Sequence, residues 1–470
     1  MNDFHFTPRR AAWEVLNQFK AEKQNAGLLI DKFSSKTENR AAVIEIALGV
    51  IRNCDFIDSF ISLISGRPLK NIQQKIINCL RIAVYELVFT EQAQYAIVNE
   101  AVELAKKTGS KKSSGFINAI LRKVVASIKD KSAKLSESDS RKTLPLTYEI
   151  GCEFTIDVLP DENKQKAEFL SRAFSLPIWL VELWLAQFDY EQTKNICFAS
   201  NRRPSVYARP NKLKINAEEL LNILKEQNVD CELIEKYKMV KLNKPGNIAE
   251  LESFKAGLFT IQDITASSVA EFLNPQPGWK VFDICAAPGT KTTQMAEIMG
   301  DKGVVIATDK DSSRLQKINE NTKRLGITSI KISSFNDFLK EYSQERPIKD
   351  EILRFAQNDK AADAVLLDVP CSNTGVLAKR PEVRLRLNKK HVEEIAKIQL
   401  AILNQACSLI TKGGKICYST CSILNEENNE IVNEFLKHHK EFSLEKEKLS
   451  LPCVGDYDCD GGYVAIMQKN

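Results

Sequence analysis

The chain has 470 residues, enough for two to four domains, and its 43% hydrophobic and 27% charged residues are typical of a soluble globular protein. A net charge of +5 permits an anionic partner without requiring one. There is no apolar run of roughly 18 residues and no secretory signal pattern at the start, so we expect a cytoplasmic protein without a membrane partner. The twelve cysteines lack metal-ligand spacing, which predicts reduced thiols and no metal.

Residues 1–130 predict an all-helical bundle. Glycine is sparse there, and apolar residues recur at steps of three and four, as at Ala12, Val15 and Leu16. Thr7 is followed by a proline, a pattern that predicts a helix start with the threonine as N-cap. This region alone indicates only a small helical domain.

Three further regions follow along the chain. Residues 131–144 are rich in Lys, Ser, Asp and Glu and predict a linker. Residues 145–274 mix strand and helix signals and predict a small α/β module. Residues 275–470 alternate strands and helices, which predicts a mostly parallel, Rossmann-like sheet covered by helices. The predicted strands are Lys280–Cys285, Gly303–Thr308, Ser329–Ser333, Ala364–Asp368 and Gly414–Thr420, with helices between them such as Ser312–Leu325 and Lys390–Ile410.

The polar segment 343–360 lies between two predicted strands. We expect it to form a surface insertion, with a regular crossover helix as the alternative.

The first predicted strand of this region runs into a turn of small residues, Cys285–Lys291, followed by a helix. Small residues let a ligand approach the backbone, and a helix start offers free amides, so the pattern favours a nucleotide-like cofactor over an ordinary tight turn. Asp309 ends the second strand about 20 residues later, where an acid can bind ribose hydroxyls or cap a helix. Asp337 follows the third strand and could bind an adenine amino group or cap the next helix.

Two cysteines lie where predicted strands end, Cys371 after Asp368-Val-Pro and Cys421 within Tyr-Ser-Thr-Cys-Ser. Ligands bind at this rim of open α/β sheets, and two thiols there indicate covalent chemistry. Pro370 forces the chain to turn, which we expect to bring the carboxylate of Asp368 and the thiol of Cys371 to one pocket.

Basic residues follow the first of these cysteines and recur in the helical region. Beside a catalytic loop such a stretch favours contacts with RNA phosphates, although a charge run by itself is often only a solvated face. The stretch contains Lys379, Arg380, Arg384, Arg386, Lys389 and Lys390; a weaker candidate contains Lys106, Lys107, Lys111 and Lys112.

Three motifs in order, at 283–292, at 368–375 and at 418–430, resemble the Sun family of S-adenosylmethionine-dependent RNA cytosine-5 methyltransferases. The sequence departs from the family at Thr290, where a second glycine is usual, and in its longer 343–360 segment. The resemblance implies S-adenosylmethionine as cofactor. The implied cofactor-binding residues are Cys285, Ala286, Ala287, Pro288, Gly289, Thr290, Lys291, Asp309, Asp337 and Asp368.

The resemblance also divides the catalytic roles. The sequence alone allows either cysteine to attack the base, but the family pattern implies Cys421 as the nucleophile on carbon 6 of cytosine. It implies that Cys371 assists product release and that Asp368 holds the cytosine edge.

The helical region contains stretches at 12–16, 49–53, 80–86, 98–102 and 115–122 that resemble NusB-type RNA-binding domains, and the middle module is expected to be RRM-like. This arrangement is similar to the bacterial 16S ribosomal RNA methyltransferases, which implies free or partly assembled 16S ribosomal RNA as the partner and a monomeric enzyme. The alternatives are the same chemistry on transfer RNA or another ribosomal position, a non-catalytic RNA-binding factor, and an amino-group methyltransferase.

Overall fold

The computed structural model describes residues 6–21, 26–108, 111–244, 246–342 and 361–470, except for the side chains of residues 111 and 112. The chain divides into two compact units. The first contains Met1–Arg202 and Leu377–Leu387, and the second contains Arg203–Val376 and Asn388–Asn470. The predictions for segment 343–360 and for the side chains of Lys111 and Lys112 lie outside the described residues. Across the described ranges, no helix has the length and apolarity needed to cross a membrane.

The first unit is built mainly from helices, as the apolar spacing predicts. Ala12, Val15 and Leu16 are buried on one face of the first helix, and the Thr7 side chain accepts a hydrogen bond from the backbone N–H of Arg10 at 3.3 Å, which caps its start. The helices of this unit are Pro8–Gln18, Ala26–Ser34, Arg40–Arg52, Cys54–Ser65, Gln74–Phe89, Gln94–Thr108, Lys111–Ser127, Lys166–Phe174, Ile178–Gln187 and Tyr190–Asn201.

The segment predicted as a linker, 131–144, instead contributes to a small antiparallel sheet. Strands β1 (Ile128–Lys134), β2 (Thr143–Pro145) and β3 (Ile150–Phe154) lie in the order β1-β3-β2. Most side chains of β1 are exposed or only half-buried because it is an edge strand. The linker prediction failed because an edge strand with exposed side chains can have the same charged composition as a linker.

The prediction that Arg384 contacts RNA phosphates is wrong. Its side chain is buried within the first unit, and its guanidinium donates hydrogen bonds to the backbone carbonyls of Arg52, Phe174 and Ser200 at 2.7, 3.0 and 2.9 Å. Burial, together with the nearby charge of Arg52, lowers the pKa of Arg384 to about 9. This arginine therefore holds backbone segments together and is not available to RNA.

The second unit begins with a four-stranded antiparallel sheet. Strands β4 (Val206–Pro210), β5 (Cys231–Ile234), β6 (Met239–Leu242) and β7 (Phe259–Ile261) lie in the order β5-β6-β4-β7. The α/β module predicted for 145–274 thus contains helices of the first unit as well as this sheet, because the boundary between the units falls after Arg202. The helices of this part are Ala217–Glu226, Glu252–Lys255 and Ile264–Leu273.

The remainder of the second unit forms a seven-stranded, mostly parallel sheet. Its strands are β8 (Lys280–Asp283), β9 (Val304–Ala307), β10 (Ile330–Ile332), β11 (Ala362–Asp368), β12 (Ile410–Thr420), β13 (Phe442–Ser450) and β14 (Gly462–Lys469). Their order is β10-β9-β8-β11-β12-β14-β13, with β8 to β12 parallel and β14 antiparallel to both β12 and β13. The helices are Thr290–Ile298, Ser312–Leu325, Phe335–Tyr342, Lys389–Ala406 and Asn429–His438.

This topology positions the candidate site. The chain passes from β8 to β9 and β10 on one side and then returns to β11 on the other side of β8, so β8 and β11 flank a switch point. Both faces of the sheet are covered, since Val365 and Leu367 pack into one hydrophobic cluster and Ala364 and Leu366 into another. The predicted fold class is confirmed, and the carboxyl ends of β8, β11 and β12 meet at the edge where such folds bind ligands.

A buried ion pair connects the small sheet to the helix after β8. The guanidinium of Arg209 binds the carboxylate of Glu297, and its Nε donates to Gln262 Oε1 at 2.6 Å. The side chains of Arg209 and Glu297 are 3% and 0% exposed. A buried charge left without its partner is costly, so this pair makes the two parts of the unit interdependent.

We predict that Arg209→Ala lowers the free energy of unfolding by about 3–5 kcal/mol because it leaves Glu297 buried and unpaired. Urea denaturation measures the change. Lys212→Ala is the matched control, since Lys212 pairs with Glu271 at 3.1 Å on the surface and its loss should cost less than about 1 kcal/mol. Equal effects of the two substitutions would contradict the prediction.

Candidate active site

The predicted cofactor loop lies between β8 and the helix Thr290–Ile298. The loop is closed by hydrogen bonds from the backbone N–H of Gly289 to Ala286 O at 2.7 Å and from Ala286 N–H to Thr308 O at 3.0 Å. Gly289 has a φ of +97°, and a Cβ there would lie 3.1 Å from a side-chain carbon of Ile318. The loop therefore forms a cradle that requires glycine at this position.

Asp283 ends β8 beneath this loop and is fully buried. Thr292 Oγ1 donates to its Oδ2 at 2.6 Å, whereas its Oδ1 is buried without a hydrogen-bond donor. Burial raises the pKa of Asp283 to about 7, although the bond from Thr292 opposes the shift. A buried acceptor without a donor fits a ligand that brings a charged N–H group, as the amino acid moiety of S-adenosylmethionine would.

The two other acids predicted to bind a cofactor differ in their surroundings. Asp309 is buried after β9, and its carboxylate accepts the backbone N–H of Ala287 at 3.1 Å and of Asp311 at 2.9 Å. Asp309 therefore contacts the cofactor loop itself. Asp337 is exposed in the first turn of helix Phe335–Tyr342 and accepts a hydrogen bond from Ser334 Oγ at 2.6 Å. Its role with the cofactor stays a prediction.

Lys291 connects the cofactor loop to β11. Its Nζ lies 2.6 Å from Asp368 Oδ2, and Ser419 Oγ donates to Asp368 Oδ1 at 3.3 Å. Burial by itself lowers the pKa of Lys291, but the carboxylate of Asp368 outweighs it, and the net shift is upward. The lysine therefore keeps its charge and fixes the Asp368 carboxylate at the sheet edge.

The two cysteines come together because β11 and β12 are parallel neighbours. Asp368 pairs with Ser419 in the register, and Val369 N–H donates to Ser419 O at 3.0 Å. The sulfur atoms of Cys371 and Cys421 lie 2.8 Å apart, and both cysteines are free thiols. The structure thus joins the residues that follow the two strands, as the sequence predicts.

The two thiols are not equivalent. A cavity of about 110 Å³ is lined by Cys421, Asp368, Lys291 and Ser419, together with Asp263 and residues of the loop before β14. Cys371 is buried and is not among the residues that line this cavity. Cys421 therefore faces the space in which a ligand would sit, and Cys371 lies behind it. The prediction that Cys371 shares a pocket with Asp368 is wrong, because the chain after Pro370 turns the Cys371 thiol into the protein interior.

Cys371 is held as a protonated thiol. Its hydrogen bond with Cys421 and then its burial raise its pKa well above the ordinary value, and the charge of Glu427 adds to the shift. Cys285 in the cofactor loop is likewise kept protonated because burial raises its pKa to about 12. Neither of these thiols is poised to act as a thiolate at neutral pH.

Three loops meet at Gly375. Its backbone N–H donates to Cys421 O at 2.9 Å, and Gly461 N–H donates to Gly375 O at 2.8 Å. A Cβ on Gly375 would lie 2.5 Å from Gly461 O, so only glycine permits the contact. Gly461 belongs to the loop before β14, a segment that was not predicted to be part of the site.

Other residues of the site were also not predicted. Asn373 has a φ of +63°, and its side-chain oxygen lies 3.3 Å from the sulfur of Cys421. Glu427 is buried and binds both cysteine loops. Asn373 and Glu427 lie inside the motifs at 368–375 and 418–430, and this position is the sequence feature that could have identified them.

The basic residues other than Arg384 are exposed where their side chains are described. These are Lys379, Arg380, Arg386, Lys389 and Lys390, and in the helical region Lys106 and Lys107. Over the described stretches of the chain, no group of three or more His, Cys, Asp and Glu residues is arranged to hold a metal ion.

Family models match three parts of the chain. Residues 270–458 match a model described as 16S rRNA methyltransferase RsmB/F, and residues 7–126 match the NusB family. Residues 176–249 match the ferredoxin-like domain of RsmF/B-like methyltransferases. The resemblance to a methyltransferase with a NusB-like domain is confirmed.

Whole-length relatives carry related names. A protein of Synechocystis sp. named probable ribosomal RNA small subunit methyltransferase B is 30% identical over 466 residues, which cover 98% of this chain and 95% of that protein. A protein of Bacillus subtilis with the same name is 28% identical, with 98% of each chain covered.

Two solved structures share the fold. The crystal structure of PH0851 has a TM-score of 0.71 at 24% identity and covers 99% of this chain and 100% of that one. The structure of NSun6 from Pyrococcus horikoshii with SFG has a TM-score of 0.51 at 23% identity and covers 62% of this chain and 98% of that one.

The buried carboxyl of Asp283 predicts a pH dependence of stability without ligand. Its raised pKa means that the folded state binds the proton more tightly, so stability falls as the pH rises from about 4 to about 7. We expect Asp283→Asn to be more stable than the unsubstituted protein at pH 8, by a few kcal/mol at most, and to lose this advantage at pH 4.5.

Thermal denaturation at several pH values measures the effect. Asp311→Asn is the control, because Asp311 is an exposed helix cap whose pKa is lowered by its hydrogen bond from Ser313, so it does not titrate between pH 5 and 8. A stability difference for Asp283→Asn that does not change with pH would contradict the prediction.

Proposed function

The chain belongs to the ribosomal RNA small subunit methyltransferase B family, and from this premise we propose that it methylates carbon 5 of a cytosine in 16S ribosomal RNA through Cys421. It is an S-adenosylmethionine-dependent enzyme, and cytosine-5 chemistry is typical of the family. The observation that carries the proposal is the cavity in which the sulfur of Cys421, the carboxylate of Asp368 and the ammonium of Lys291 face one small space.

The cavity fits the first step of the chemistry. Carbon 5 of cytosine is a weak nucleophile, so the thiolate of Cys421 first forms a bond to carbon 6, and the electron pair of the 5,6 double bond moves to carbon 5. Asp368 binds the edge of the base at nitrogen 3 and the amino group, and Lys291 keeps that carboxylate oriented. S-adenosylmethionine, when bound, supplies the methyl group that carbon 5 takes up.

Release of the methylated base requires the bond between the sulfur of Cys421 and carbon 6 to break. A base removes the proton from carbon 5, the double bond re-forms, and the sulfur of Cys421 leaves carbon 6. Cys371 assists this step from behind Cys421, and its raised pKa supports a role as a thiol that keeps and shares a proton. The same pKa argues against Cys371 as the attacking thiolate.

The residues that would hold the cofactor surround the cradle at the end of β8. The loop Cys285–Thr290 and Lys291 lie on one side, Asp309 follows β9, and Asp368 ends β11. Asp337 is included as a residue that would reach the adenine. Thr290 starts the helix after the loop, and its side chain is half-buried beside Gly289.

The substrate is expected to be free or partly assembled 16S ribosomal RNA, because a base must leave its stack to reach a sulfur at the wall of a small cavity. The helical domain of residues 1–130 and the module of residues 145–274 would bind RNA. Residues 131–144 would join these two parts, and residues 275–470 would form the catalytic domain. Exposed cations such as Arg380 and Lys390 are suited to phosphate contacts. We further propose that the enzyme acts as a cytoplasmic monomer.

We predict that Cys421→Ala abolishes methyl transfer, since among the described residues Cys421 is the one that brings a sulfur atom to the cavity wall. Cys371→Ala should instead accumulate a covalent RNA–protein adduct, because the first bond forms and its release is impaired. A denaturing gel with labelled RNA detects the adduct. Cys417→Ala, in the buried part of β12 just before Cys421, is the matched control and should behave like the unsubstituted enzyme. An adduct with Cys421→Ala in place of Cys371→Ala would reverse the roles.

Bisulfite mapping tests the substrate. Bisulfite deaminates cytosine but not 5-methylcytosine. In cells that lack this protein, one cytosine of 16S RNA should lose its protection from bisulfite, and the protein with Cys421 intact should restore that protection. Loss of protection only in transfer RNA, or at a position outside 16S RNA, would favour the same chemistry on a different target and overturn the proposed substrate.

A further inference from the structure

Each of the two cysteines is followed directly by a serine, and both serines bind one buried carboxylate. The backbone N–H of Ser372 donates to Glu427 Oε1 at 2.7 Å, and its hydroxyl donates to Oε2. The hydroxyl of Ser422 donates to the same Oε2 at 2.5 Å. Glu427 therefore joins the loop that carries Cys371 to the loop that carries Cys421.

The carboxylate is held by neutral groups. Gln399 Nε2 donates to Glu427 Oε1 at 3.1 Å and to Pro370 O at 2.9 Å, so it ties the same network to the start of the first cysteine loop. Within the described part of the chain, no Lys, Arg or His forms an ion pair with Glu427, which is fully buried. Hydrogen bonds to an ionised acceptor are stronger than those between neutral groups. A buried carboxylate without a cationic partner depends on such bonds to offset the cost of its burial.

We propose that Glu427 is a positioning residue for methyl transfer, which sets the contact between the sulfur atoms of Cys371 and Cys421 by binding the serine after each. The proposal rests on the proposed roles of these two cysteines. Glu427 does not line the cavity and would not touch the substrate. It acts through Ser372 and Ser422, which lie one peptide unit from the reacting thiols.

The position requires a carboxylate for a specific reason. Two hydroxyls donate to Oε2, while a backbone N–H and an amide donate to Oε1, so both oxygens accept twice. A glutamine has one acceptor oxygen, and its NH₂ group would face either two donating hydroxyls or the backbone N–H of Ser372. The charge matters as well, because it helps to keep the proton on Cys371.

Glu427→Gln is therefore expected to lower kcat about 100-fold while the KM values for RNA and S-adenosylmethionine stay unchanged, as a small displacement of reacting groups would do. Removing the charge also lowers the pKa of Cys371, so the alkaline limb of the pH–rate profile should move to lower pH. A residue that only stabilises the fold would not shift this limb.

Glu430→Gln is the matched control, because Glu430 lies three residues away on the same segment and is exposed. It should keep the kcat and the pH profile of the unsubstituted enzyme. Ser422→Ala should lower kcat about 10-fold and add little in the Glu427→Gln background, since the two residues act through one contact. If Glu427→Gln does not fold, Ser422→Ala alone carries the test.

Unchanged kcat and an unshifted alkaline limb in Glu427→Gln would overturn this inference, as would additive losses in the double variant. Failure of the role proposed for Glu427 can be distinguished from failure of the proposed function. Activity in Cys421→Ala would sink the proposed chemistry, whereas an inactive Cys421→Ala together with a fully active Glu427→Gln would reject only the role of Glu427.

Discussion

The parallel register of β11 and β12 is the constraint on which the site depends. Because Asp368 pairs with Ser419, the two strands end side by side, and the cysteines follow these paired residues by three and two positions. Residues 50 positions apart in sequence are thus brought into sulfur–sulfur contact. A register shift of one residue would turn the side chains to the opposite face of the sheet and separate Asp368 from the cavity.

Two carboxylates with different surroundings flank the thiols. On the cavity side, Asp368 is paired with the charged Lys291 and is open to a ligand. Behind the thiols, Glu427 is buried among neutral donors and closed to solvent. The partly exposed carboxylate of Asp368 is suited to binding a base, and the buried carboxylate of Glu427 is suited to holding loops. The low dielectric around Glu427 strengthens its effect on Cys371.

Much of this site could be predicted from the sequence, because strand ends, small-residue turns and cysteines after Asp-x-Pro are local patterns. Glu427 could not be ranked above the acids beside it, since its partner Ser372 is 55 residues away. Arg384 was misjudged because a charge in a basic run gives no sign of burial. Strand β1 resembles a linker in composition because an exposed edge strand has little apolar side chain to bury.

The central claim is that Cys421 forms the bond to the base. Fluorine at carbon 5 of cytosine cannot leave as a proton does, so RNA that contains 5-fluorocytidine should hold the unsubstituted enzyme as a covalent adduct. Trypsin digestion separates peptide 416–437, which contains Cys421, from peptide 361–379, which contains Cys371. Mass spectrometry that finds the nucleotide on Cys421 supports the account, and a nucleotide on Cys371 would contradict it.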